Sequence, residues 1–144
     1  EDIQFPYGYN NAQPNLVSED GNLTLSWISS AENNEAVLSY SQYKYNSWSK
    51  PTRITSGSDW FVNWADFPAN AINGNLLLTS YLKKSASGTY TYDILLNLET
   101  LSGNKIKDNF LLNTVKNETI DNYTSISITF KYGSVIWQPK RIST

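Results

Sequence analysis

Apolar and polar residues alternate along much of this chain with a period of two, the spacing of a strand with one buried face. Residues 22–29 (NLTLSWIS) set Leu23, Leu25 and Trp27 against Thr24, Ser26 and Ile28. They follow Glu19-Asp20-Gly21, and an Asp-Gly pair favours a tight hairpin because both residues tolerate positive φ. Residues 37–44 alternate again, a turn is expected at 45–47, and 48–54 close the first group as a strand. The second group opens with 68–72 and the turn cue Asn73-Gly74. It continues through strands at 75–84, 89–98 and 105–112, with turns at 85–88 and 101–104. A third group begins at 123–130 (YTSISITF), turns at 131–133 and continues as 134–138 (SVIWQ). Residues 94–101 carry the one helix-like spacing of Ile and Leu, and the flanking Tyr90 and Tyr92 favour a strand there.

The strings Gly21-Asn22-Leu23 and Gly74-Asn75-Leu76 lie 53 residues apart. Four-stranded propeller blades repeat every 40–50 residues or so. The fold class expected is therefore all-β, built of antiparallel four-stranded blades of a β-propeller, about two and a half of them. A β-sandwich of about eleven strands is the alternative. The division is an N-terminal arm at 1–11, a first blade at 12–56, a second at 57–112 and a partial third at 113–144. Propellers close with about four to eight blades, and an open set leaves unpaired strand edges. Completion is expected from further blades of a longer product, from self-association or from a partner chain. The segment 1–11, in which Phe5, Tyr7 and Tyr9 alternate, is a candidate donated strand.

Composition narrows the chemistry. The 144 residues carry a formal charge of −2, which gives no basic stripe for nucleic acid. The longest aliphatic runs, Leu76-Leu77-Leu78 and Ile94-Leu95-Leu96, fall far short of the roughly 18 apolar residues of a membrane-spanning helix. Cys, His and Met are absent, which removes disulfides, thiol and His-triad catalysis and the usual zinc sites. No cofactor is expected. The opening Glu1-Asp2-Ile3 is not an initiator sequence, so a removed leader or a longer product is expected. Sequons stand at Asn22, Asn117 and Asn122.

The stretches PNLVSEDGNLTLSW (14–27), Trp48-Ser49-Lys50-Pro51, GSDWFVNWADFP (57–68) and KSASGTYTYD (84–93) resemble bacterial sialidase-like proteins, the exo-α-sialidase-like BNR/Asp-box β-propellers. The resemblance covers about the first two-thirds of the chain, is densest in WFVNWADFP, and corresponds to the N-terminal blades of that family. It implies a secreted or surface-exposed protein that meets glycans. The family's Asp-box is shortened here to Tyr45-Asn46-Ser47-Trp48, and Leu101-Ser102-Gly103-Asn104 lacks its Asp and Trp. Sialidases grip the substrate carboxylate with three arginines, whereas this chain has only Arg53 and Arg141. Carbohydrate recognition without a complete catalytic set is the expected function. A glycoside hydrolase completed by other blades or another chain is one alternative, and a structural protein assembling through strand pairing is another.

In that arrangement the loops 30–35, 58–67, 83–89 and 113–122 share one face. Trp60, Asn63 and Trp64 are then candidates to bind sugar, the indoles by stacking on a pyranose and the amide by orienting hydroxyls. Lys83 and Tyr92 join them, Lys83 as an attractor of acidic sugars. Asp66 and Asp93 are the candidate catalytic carboxylates, suited to glycoside hydrolysis when about 5–10 Å apart. The competing role for the aromatics is core filling between sheets, and for Asp66 the satisfaction of backbone amides.

Overall fold

Tight turns whose residues accept positive φ divide the chain into antiparallel meanders. The structure is a computed structural model, and it describes residues 5, 10–31, 33, 35–60, 68–87, 92–112, 123–131 and 134–141. Strand β1 (Asn11–Glu19) returns as β2 (Asn22–Ser30) through Asp20 (φ 49°) and Gly21 (φ 77°). Both central residues are left-handed, as a two-residue type I′ hairpin requires. Strand β3 (Ala36–Lys44) pairs with β2 and turns through Tyr45 (φ 52°) and Asn46 (φ 59°) into the short β4 (Ser47–Trp48). Strand β5 (Thr52–Gly57) then resumes on the same edge of β3.

The single strand expected at 48–54 is thus divided, and Ser49 and Pro51 explain the break. Pro51 has no N–H for the ladder. Ser49 bridges the gap instead: its N–H donates to Gln42 O (2.8 Å) and its carbonyl accepts from Ser41 Oγ (2.7 Å). The N–H of Gln42 in turn donates to Ser49 Oγ (3.0 Å).

The second sheet is the meander β6 (Ala69–Asn73), β7 (Leu76–Lys84), β8 (Tyr92–Thr100) and β9 (Lys105–Leu111). Its first turn places Gly74 (φ 57°) in the position that a type II′ turn reserves for glycine. Gly21 is the second central residue of its turn and Gly74 the first of its own, so the aligned Gly-Asn-Leu strings sit one residue out of step. A third antiparallel pair, β10 (Tyr123–Lys131) and β11 (Ser134–Arg141), completes the described elements. The protein is all-β, and every described strand pairing is antiparallel.

The first two sheets stack face to face in the same strand order, and the spacing between them is graded. Stacked sheets ordinarily lie about 10 Å apart. Here the close approach, with Cα atoms within 8 Å, is concentrated on β1 with β6 and on β6 with β10. The interface narrows toward the first strand of each sheet. Small polar side chains fill the narrow side. Asn70 Nδ2 donates to Ser26 Oγ and to Asn15 Oδ1 (3.4 Å), while its Oδ1 accepts from Thr79 Oγ1 (2.7 Å). Large side chains fill the wider side: Leu38, Tyr40 and Ile54 from the first sheet meet Leu77, Tyr81 and Leu95 from the second. There Asn97 Nδ2 donates to Ile54 O (3.3 Å), and its Oδ1 accepts from the N–H of Asn109 (2.8 Å).

The opposite face of the second sheet is also buried, around Ala71, Leu78 and Leu96 and around Leu82, Tyr92 and Ile94. On the outer face of the first sheet, Phe5 packs edge-on against Trp27 of the same chain, with centroids 5.2 Å apart.

One acid lies inside the sheet–sheet interface. Glu99 is 1% exposed and neither carboxyl oxygen has a hydrogen-bond partner. Lys105, directly across the β8–β9 ladder, spends its ammonium on Ile54 O (2.6 Å) and Asp108 Oδ1 (2.9 Å). Burial raises the Glu99 pKa; the Lys105 charge opposes this and Asp108 adds to it. The same burial, with Glu99 second, pushes the Tyr40 phenol up to about 12.

Two outcomes are expected. Asn70→Leu leaves Ser26 and Thr79 without their buried partner and lowers unfolding stability by about 2 kcal/mol in urea titration. Glu99 favours its neutral form when folded, so its contribution is full below the carboxylate range and declines as pH rises through the elevated pKa. Glu99→Gln therefore raises the melting temperature at neutral pH and flattens its decline from acid to neutral pH.

Candidate functional site

At one end of the stacked sheets, the close of β2, the start of β3 and the close of β5 surround an open cleft of about 230 Å³. Ala12, Ile28 and Ala36 form apolar wall, Trp60 forms the side nearest the second sheet, and Ser30, Ser58 and Glu35 supply polar groups. Glu35 sits where the β2–β3 loop rejoins the sheet. Its carbonyl accepts from the N–H of Ala31 (2.7 Å), its N–H donates to Asn33 Oδ1 (3.2 Å), and Asn33 Nδ2 donates to its Oε2 (3.4 Å). An Asx-type turn of this kind fixes the backbone of the loop that carries Glu35.

Trp60 arrives from the chain leaving β5, and Gly57 makes that approach feasible. A Cβ at residue 57 would lie 2.8 Å from Asp59 Oδ1 and 3.1 Å from the indole Nε1. The segment is fastened to the second sheet as well. Trp60 forms an isolated antiparallel bridge with Lys83, and the N–H of Lys84 donates to Asp59 O (2.7 Å). The Lys83 ammonium meets Asp59 Oδ2 at 3.1 Å, with both side chains nearly half exposed.

The sequence candidates fall into three groups. Asn63, Trp64 and Asp66 lie outside the described residues. Trp60 and Lys83 are brought together beside the cleft, in different environments. Trp60 is 8% exposed and stacks on Tyr81, with centroids 5.0 Å apart and planes at 26°, so one indole face is already occupied. It belongs both to the core and to the cleft lining. Tyr92 and Asp93, which sequence suggested could face one centre, are neighbours on β8 and point to opposite sides of the sheet. Tyr92 is buried with Leu82 and Ile94 on the side away from the first sheet. Asp93 lies opposite Lys83 in the β7–β8 ladder, on the Tyr81 side.

Glu35, Ser30, Ser58 and Asp59 were not singled out from sequence as residues. Their loops were, and the described parts of 30–35 and 58–67 do border the same cleft. The available signal was loop position, because nothing in the local string marks Glu35 above its neighbours. Among the described residues, no group of three or more Asp and Glu side chains could hold a metal ion. None of their helices is long and apolar enough to cross a membrane. No family model, curated protein or solved structure matches this chain.

The two residues at the cleft edge differ in what they hold up. Trp60→Ala removes a core side chain shared by both sheets and is expected to cost about 3–5 kcal/mol in chemical unfolding. Lys83→Met breaks a solvent-screened pair and is expected to cost under about 1 kcal/mol by the same measurement.

Proposed function

We propose that this chain is a carbohydrate-recognition module, derived from the propeller architecture of sialidase-like proteins and acting outside the cell. The observation that carries the proposal is the cleft, where Ala12, Ile28, Ala36 and Trp60 line the same space as Ser30, Ser58 and Glu35. A sugar ring offers the matching surface, C–H patches edged by hydroxyls that donate and accept. The volume, about 230 Å³, lies below the roughly 300–1,000 Å³ of drug-sized pockets. One ring or a chain terminus fits; a buried oligosaccharide does not.

The propeller origin is supported by the graded spacing of the sheets. The first strands β1, β6 and β10 approach one another most closely, and the side chains grow larger away from them, as expected of sheets radiating from an axis. The extracellular assignment goes with the family resemblance. Hydrolysis by Asp66 and Asp93 is a weaker reading, since it needs a carboxylate pair and Asp93 is set opposite Lys83 in the ladder. Assembly through strand pairing is weaker too, because described sheet edges carry features that discourage it: Pro14 on β1, Pro51 between β4 and β5, and Lys105, Lys107 and Asp108 on β9.

Ligand-observed NMR and calorimetry against a panel of mono- and disaccharides test this proposal. Binding is expected in the wild type and in Tyr45→Ala, a fully exposed residue on a hairpin turn between β3 and β4. Ser30→Phe and Ser58→Phe, which crowd the rim from exposed positions, are expected to weaken it at least roughly tenfold. Binding that survives both rim substitutions defeats the cleft as the site.

A further inference from the structure

The electrostatics of the cleft select among sugars, and the following rests on the carbohydrate reading above. Among the described residues that line it, Glu35 is the one charged side chain, and no Lys or Arg is present. Lys83, paired with Trp60 in the isolated bridge, already has its ammonium 3.1 Å from Asp59. A carboxylated sugar entering this space would bring a negative charge toward Glu35 with no guanidinium or ammonium among the described lining residues to receive it. Like charges in a partly enclosed site repel more strongly than in open water.

The hydrogen-bond inventory points the same way. Among the described residues, the Glu35 carboxylate accepts one long contact of 3.4 Å, from Asn33, at Oε2. A carboxylate has about four lone-pair positions, so among the described residues most of its accepting capacity is unused. An ammonium is the donor that uses this best, through a charge-assisted bond about twice as strong as a neutral one. Ser30 and Ser58 supply neutral partners for ring hydroxyls, and Ile28 and Ala36 supply the surface for C–H groups.

We infer that the cleft takes an amino sugar, a pyranose bearing a free protonated amine, with Glu35 as the specificity-determining contact, and that it disfavours sialic acids and uronic acids. This departs from the acidic sugars that the family resemblance alone would suggest.

The experiment compares glucosamine, glucose, N-acetylglucosamine and N-acetylneuraminic acid by ligand-observed NMR at about pH 6, where the free amine is protonated. Wild type is expected to bind glucosamine roughly tenfold more tightly than glucose or N-acetylglucosamine, and N-acetylneuraminic acid more weakly than any of them. Glu35→Gln keeps both backbone hydrogen bonds of the loop and is expected to fold, checked by circular dichroism, while the glucosamine preference collapses to near unity. Equal affinity for glucose and glucosamine overturns the inference and leaves the carbohydrate reading standing. So does N-acetylneuraminic acid binding as well as glucosamine. Absence of binding to all four, and to the wider saccharide panel, overturns both.

Discussion

The way two sheets are brought together at unequal distances governs the rest of this molecule. Where β1 and β6 approach most closely, Asn15, Ser26 and Asn70 occupy the space. Burying such groups is unfavourable unless their donors and acceptors are matched. Asn70 meets that condition by joining β1, β2 and β7 at once, which makes the contact directional as well as compact. Toward β3 and β8 the gap admits Leu38, Tyr40 and Leu95, and ordinary apolar packing takes over. Glu99 breaks the pattern: it lies on the wide side as a buried carboxyl with no partner, and its cost to the interface depends on its protonation.

Much of the strand layout was legible because alternation and turn chemistry are local signals. Asp20-Gly21 and the 101–104 turn appear where the string implies them, and the long strands β2, β3, β7 and β8 follow their period-two patterns. Local signals failed where a side chain substitutes for backbone pairing. Ser49 holds β4 and β5 on one edge despite the interruption at Pro51, an arrangement with no signature in the residue types alone. Strand β1 was obscured by Pro14 and by Gln13, whose positive φ (52°) accompanies a register shift between Ala12 and Asn15.

The site was less legible than the fold, for a physical reason. A strand pattern says that neighbouring residues point opposite ways, yet it does not say which face meets which partner. Tyr92 and Asp93 illustrate this: the apolar neighbours Leu82 and Ile94 claim one, while the other shares its face with Tyr81. Trp60 was conspicuous in sequence, but its stacking on Tyr81 depends on a contact between distant sheets. Glu35 acquires its position from an Asx turn and from loops distant in the chain that converge on the same end.

The passage from Gly57 to Trp60 is at once the start of the bridge between the two sheets and a border of the cleft. A guest lodged there touches the residues that tether one layer to the other. Occupancy and layer cohesion are therefore thermodynamically coupled: whatever fills the cleft also acts as a rivet, and loosening the layers dulls the grip on the guest.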